Sequence, residues 1–178
     1  MNELSDRFFS EAPRKSPIAR FHPLVYAGMA LLAILFQVYV PRFVAFLAFL
    51  DLPLLITMYF SMMRRSEIVG LGFGALVGLV QDSLSHQPLG MFGIVKTLVG
   101  YFGGTVSHRG FDVENSVVRG ILGFFFYFFH QLMYWVMIRA LLGQPGEFDP
   151  RREFILGLLN AVVAIPLFRV LDKLKERG

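Results

Sequence analysis

The chain has 178 residues, of which 55% are hydrophobic and only 17% charged, with a mean hydropathy of +0.57; this excludes an average soluble domain. There is no cysteine, which excludes disulfides and thiol chemistry. The net charge is +4, but the basic residues stand in short runs beside apolar segments and form no aromatic-laced patch, which excludes nucleic acid as a partner.

A membrane span needs about 20 apolar residues to cross a hydrocarbon core of roughly 30 Å, so the chain has room for five or six spans and little else. The expected fold class is an all-α integral membrane protein, a bundle of about six transmembrane helices. Residues 1–20 are mixed-charge, carry two prolines and lack the apolar core of a signal peptide. They read as a cytoplasmic tail, with residues 21–172 as the polytopic domain and 173–178 as a second cytoplasmic tail.

Phe21, His22 and Pro23 open the first span, with Pro23 at an early helical position where its missing N–H does no harm; the span runs to Val40. The next apolar stretch is broken by Asp51 and Pro53. Either residues 43–50 are a re-entrant or interfacial piece followed by a short span from Leu52 to Met63, or the whole is one kinked span. A carboxylate at mid-bilayer costs about 2.5–3.5 kcal/mol on insertion scales, which favours the first. Arg64 and Arg65 end this segment, and Ser66 with Glu67 supplies a capping hydroxyl and a first-turn acid for a third span, Glu67 to Leu84. A fourth runs from near Pro88 to near Ser107 and a fifth from Ser116 to Leu142. A sixth covers Phe154 to Leu171, preceded by Asp149 and Pro150 as an N-cap pair; Pro166 is expected to bend it.

With six spans both termini share a side. That side collects twelve basic residues (Arg7, Arg14, Lys15, Arg20, Arg64, Arg65, Arg109, Arg119, Arg169, Lys173, Lys175 and Arg177), against four (Arg42, Arg139, Arg151 and Arg152) on the other. The bias puts both termini in the cytoplasm. Tyr26 and Tyr59 near inner ends, and Tyr39, Tyr134 and Trp135 near outer ends, read as interfacial belts.

Gly70, Gly74 and Gly78 stand four apart and Asp82 continues the step, so three bare backbone patches and one carboxylate follow one slowly winding stripe. Gly93, Gly100 and Gly104 make a facing stripe on the fourth span. In lipid, where apolar tails do not drive helices together, such stripes let backbones approach closely, and these seven residues are read as a helix-packing or partner interface. Asp82 is either an interfacial turn former or a side chain that fixes the hairpin between the third and fourth spans. Lys96 lies inside a span. It pairs with Asp51 or Asp82, or faces a water-filled cavity, or else snorkels outward.

On the fifth span Tyr127, His130 and Gln131 share a face with Gly120, Gly123 and Tyr134, read first as an interhelical hydrogen-bonded seam and otherwise as part of a ligand pocket or proton relay. On the sixth, Gly157, Asn160, Ala161 and Ala164 form a small, polar stripe. The four polished faces are expected to converge, with Lys96, Tyr127, His130, Gln131 and Asn160 around a candidate polar pocket. No catalytic constellation emerges: Asp82, Ser83, Ser85 and His86 fall in one short loop that does not aim a relay. The four histidines lack metal-ligand spacing. Neither an enzyme nor a cofactor is expected.

From Leu54 to Gly104 the sequence resembles the bacterial rod shape-determining protein family MreD. The resemblance lies in a short apolar span ending in Tyr59 and the Arg64–Arg65 pair, followed by VGLGFGALVGLVQDSLSHQPLGMFGIVKTLVGYFGG. That stretch holds the pattern G-x-x-x-G-L-x-x-D, Ser85, the Pro88 to Gly90 turn and the Gly100–Tyr101 step. The resemblance implies a non-enzymatic component of the cell-elongation machinery in the inner membrane. It would act beside the bitopic MreC, with the MreB filament and the pair RodA and penicillin-binding protein 2 in a wider complex. The family is similar in architecture to the substrate-binding subunits of energy-coupling-factor transporters, which supplies an alternative: a small-molecule-binding subunit with a ligand pocket between helices. On the first reading the chain is a platform whose outer face receives the transmembrane helix of MreC and whose basic loops sit against anionic membrane lipids, each near-surface cation contributing about 1 kcal/mol.

Overall fold

A computed structural model describes residues 21–85, 88–143, 145 and 147–175. The tail 1–20, His86 and Arg177 lie outside the described residues. Among those described there are six α-helices and no strand: α1 (Pro23–Tyr39), α2 (Leu52–Arg64), α3 (Glu67–Leu84), α4 (Met91–His108), α5 (Ser116–Leu142) and α6 (Pro150–Asp172). Between α1 and α2 the chain makes two short 3-10 turns, Val40–Arg42 and Ala45–Phe49.

Five of the helices begin on a side chain that accepts from their own first turn: His22, Asp51, Ser66, Asn115 and Asp149. The caps satisfy orphan N–H groups that a bilayer could not hydrate. α4 starts on Gly90, in the left-handed region at φ 97°, and takes its cap from another helix. Asp82, in the last turn of α3, accepts from the N–H groups of Gly90 (2.9 Å), Phe92 (3.0 Å) and Gly93 (3.0 Å). One buried carboxylate therefore closes the α3–α4 turn and neutralises the N-terminal partial charge of α4.

The helices surround α2, which touches each of the other five and whose residues Pro53 to Met63 are all buried. Ala45–Arg64 is 67% buried over its apolar window, against 11% for Pro23–Arg42; α2 is the axle and α1 a peripheral helix. The burial pattern is that of a protein in lipid. Lys96, Arg119, His130 and Asn160 are inside, whereas Leu24, Leu32, Ile68, Phe125 and Val162 are more than half exposed. Five segments are long and apolar enough to cross a membrane: Pro23–Arg42, Ala45–Arg64, Glu67–Leu84, Ser116–Leu142 and Pro150–Asp172. α4, the fourth of the six expected spans, is not among them; it carries Lys96, four glycines and several hydroxyl residues. It nevertheless lies antiparallel along the whole of α3.

That antiparallel contact is made by glycine. A Cβ at Gly70 would meet the Gly100 carbonyl, at Gly74 that of Lys96, at Gly78 that of Phe92 and at Gly104 the backbone of Ser66 and Glu67, each closer than the 3.0 Å that real Cβ atoms keep. Gly93 faces the side chains of Leu79 and Asp82. α5 and α6 form a second seam, where Gly123 meets Ala161 and Ala164 and Gly157 meets Phe124 and Tyr127. The glycine parts of the four polished faces thus form two separate pairs, because a glycine face is used up by the one backbone it admits, while their polar residues meet around Asp51. Tyr59 is also not a belt residue. It is fully buried and donates to Asp172 at 2.8 Å. α6 runs unbroken through Pro166.

Replacing Gly74 or Gly100 with alanine is expected to cost about 1–3 kcal/mol through overpacking. Gly28→Ala and Gly72→Ala, at helical sites with nothing within 4 Å, should be neutral or stabilising by up to about 1 kcal/mol from helix propensity. Thermal unfolding of the four variants in detergent measures the contrast, and equal losses at all four sites would contradict the seam.

Candidate functional site

At 13 residues, α2 is about 20 Å long, too short to cross a core of roughly 30 Å. Its N-terminus meets α5 at His130 and α6 at Asn160, both near the midpoints of those helices. The chain leading into it, from Ala45 to Asp51, is not α-helical, and backbone of this kind at membrane depth must find its hydrogen bonds within the protein. Asn160 supplies them. Its Oδ1 accepts from the Asp51 N–H (2.9 Å), while its Nδ2 donates to the carbonyls of Phe49 (2.9 Å) and Leu156 (2.9 Å). Asp51 Oδ1 in turn accepts from the Leu54 N–H at 2.9 Å.

The other carboxylate oxygen of Asp51 forms a triangle with Lys96 and His130. Lys96 Nζ, fully buried, donates to Asp51 Oδ2 (3.4 Å) and to His130 Nε2 (3.2 Å). An ammonium has only hydrogens to give, so the ring is assigned as accepting at Nε2 and carrying its own hydrogen at Nδ1, which lies 3.7 Å from Asp51 Oδ2. Lys96 also stands 4.7 Å from the centre of the Phe92 ring, a cation–π contact that strengthens where water is excluded. One positive and one negative charge cancel inside the bundle, with a neutral imidazole on the third side whose Nδ1 has no hydrogen-bond partner among the described residues.

Beside this triangle lies a half-open cavity of about 230 Å³ lined by Gln37, Ala48, Phe49, Asp51, Gln81, Phe92, Tyr127, His130, Gln131 and Tyr134. Phe92 forms a flat wall with Tyr134 (5.0 Å between ring centres, 11° between planes) and His130 (6.0 Å, 7°). Gln131 Nε2 donates to the Tyr127 hydroxyl (2.9 Å), which donates to Glu153 at 3.3 Å.

A second polar cluster sits toward the other end of α2. Arg119 binds both oxygens of Asp172 (2.5 and 3.2 Å), and its Nε donates to the Val113 carbonyl (2.6 Å). Tyr59 and Lys175 (2.8 Å each) also donate to Asp172 Oδ1. α5 and α6 are thus tied to the axle by polar groups at two levels about 17 Å apart, the rise of α5 from Arg119 to His130.

Of the residues named from sequence for the pocket, Tyr127, His130 and Gln131 line the cavity. Lys96 and Asn160 lie behind it, engaged by Asp51, His130 and backbone. Asp82, the other candidate partner of Lys96, is occupied by α4. Gly74, Gly78, Gly93, Gly100 and Gly104 are enclosed between α3 and α4, and Gly70, packed against Gly100, also borders a groove lined by Phe21, Tyr26 and Gly72. Sequence reasoning missed Gln37, Gln81 and the Phe92–Tyr134 wall as cavity residues, and the Arg119–Asp172 pair. The signal for the glutamines was a polar side chain late in an apolar span, and for Arg119 a cation one turn into a helix.

The family described as rod shape-determining protein MreD matches residues 20–176, nearly the whole chain. No curated protein and no solved structure matches.

Lys96→Met leaves Asp51 charged and unpartnered, and Asp51→Asn leaves Lys96 so while keeping a capping side chain. Each single change is expected to cost about 3–5 kcal/mol. The double variant should lose less than either alone, since neither charge is then stranded. Thermal unfolding of the three proteins gives the coupling; additive losses would show that the pair is not the unit.

Proposed function

The chain belongs to the rod shape-determining MreD family, and from that premise we propose that it is a non-enzymatic membrane scaffold of the cell-elongation machinery. In this reading it maintains rod shape by binding the transmembrane helix of MreC and linking the MreB filament to the peptidoglycan synthases RodA and penicillin-binding protein 2. The family match over residues 20–176 carries the proposal.

The bundle is placed in the inner membrane with both termini cytoplasmic. Six crossings follow if α4, which lies along α3 from end to end, spans with it. Arg64, Arg65, Arg109, Lys173 and Lys175 then lie on the cytoplasmic side, where anionic lipid and a filament would meet them. Arg42, Arg139, Arg151 and Arg152 lie opposite.

A visiting helix must use a surface that the bundle has left open. The α3–α4 glycines are consumed by their own contact, so the partner is assigned to the groove between α1 and α3. It has a volume of about 400 Å³ and is lined by Phe21, Tyr26, Gly72, Phe73 and Leu76, with Arg64 among its walls. Gly72 has nothing within 4 Å of where its Cβ would stand, and a small residue on a lipid-facing groove is what close helix approach in a bilayer uses.

Gly72→Leu should leave the amount of folded protein unchanged and reduce co-purification of MreC from native membranes several-fold. Gly74→Leu should instead deplete the folded protein. Absence of MreC from the wild-type material would overturn the scaffold reading, and an unchanged yield with Gly72→Leu would remove the contact from this groove.

A further inference from the structure

The cavity beside Asp51 has the chemistry of a binding site, and it does not depend on the docking of MreC. Gln81 is only 4% exposed, and its Oε1 has no hydrogen-bond partner among the described residues. The same holds for Gln37 Oε1, although Gln37 Nε2 donates to the Ala48 carbonyl at 3.4 Å. A buried amide oxygen left without a partner is costly, and two of them line one small space. Water could serve them, at about seven molecules of roughly 30 Å³ each. Water gains nothing, however, from the flat wall that Phe92, His130 and Tyr134 present.

We propose that this cavity binds a neutral, hydroxyl-bearing group the size of one sugar ring, held by the Gln37 and Gln81 amides against the Phe92–Tyr134 wall. Neutrality follows from the triangle behind it. Asp51 and Lys96 already cancel and no other charged side chain lines the cavity, so a charged ligand would be desolvated with no counter-charge on the walls. Hydroxyls follow from the amides, which offer both donors and acceptors, as a hydroxyl does. The size follows from the volume of about 230 Å³, below the range of roughly 300–1,000 Å³ typical for drug-sized ligands. A ring whose C–H faces lie on aromatic carbon while its hydroxyls point to the amides fits all three. Such a ring could be a free solute or the headgroup of a glycolipid.

The test uses the full chain in phosphatidylcholine nanodiscs, followed by thermal unfolding. Glucose and myo-inositol are the free neutral probes, gluconate and glucosamine the charged ones, and monoglucosyl diacylglycerol in the disc the tethered one. Excluded polyols stabilise any protein somewhat, so the quantity read is the shift of the wild type beyond that of Gln81→Leu. Gln37→Leu serves as a second reference should Gln81→Leu fail to fold. A saturating neutral probe is expected to give an excess shift of about 3 °C or more. An excess with glucose or inositol identifies a free solute, and one with the glucolipid alone identifies a headgroup. Equal shifts in wild type and variant for every neutral probe would mean that the cavity holds only water and would overturn the proposal, as would an excess confined to gluconate or glucosamine.

Discussion

A helix that stops partway through a membrane must have its exposed end satisfied by the protein, because hydrocarbon offers no hydrogen bonds. α2 is such a helix, and a set of polar side chains inside the bundle answers that need. Asp51 caps its first turn, Asn160 takes up the stray backbone before it, and Lys96 with His130 balances the charge that the cap introduces. Removing any member uncovers a donor, an acceptor or a charge where nothing else can reach it. The cavity follows from the same geometry, since a short central helix leaves room between longer neighbours.

Two kinds of cohesion divide the bundle. α3 and α4 adhere through bare backbone, at distances that admit no side chain. α5 and α6 are paired more loosely through glycine and alanine and are joined to α2 at two polar levels, His130 and Asn160 beside Asp51 and the Arg119–Asp172 pair at Tyr59. Close packing in lipid is non-specific in direction but exacting in shape, whereas buried ion pairs are costly to form and more costly to break. Each sets position in a different way: the glycines fix how near α3 and α4 lie, the Asp51–Lys96 pair ties α4 to the start of α2, and Asn160 and Tyr59 fix the depth at which the α5–α6 hairpin engages the axle. Partners are thereby left the outer faces, including the α1–α3 groove where Gly72 is uncovered.

Most of the helix boundaries were legible because their signals are local. Ser66 before Glu67 and Asp149 before Pro150 each place a cap one residue ahead of a helix, and the helices begin there. Asp51 and Pro53 marked the break ahead of α2 for the same reason. Tyr59 misled, because a tyrosine near an arginine pair in an apolar segment has the local look of an interfacial anchor; its partner Asp172 is more than a hundred residues away. Gln37 and Gln81 were passed over because a lone amide in a span says nothing of what faces it.

The sequence by itself determined that this is a helical membrane protein, where most of its helices start and stop, and that glycine lines one face of two of them, since these depend on hydropathy, capping and periodicity within one stretch of chain. Only the tertiary structure decided which buried charge meets which. Lys96 had two carboxylates within plausible reach, and the choice between Asp51 and Asp82 was made by the rotation and depth of α2 and α4 against each other. That arrangement is set by the packing of all six helices at once, so no single segment encodes it.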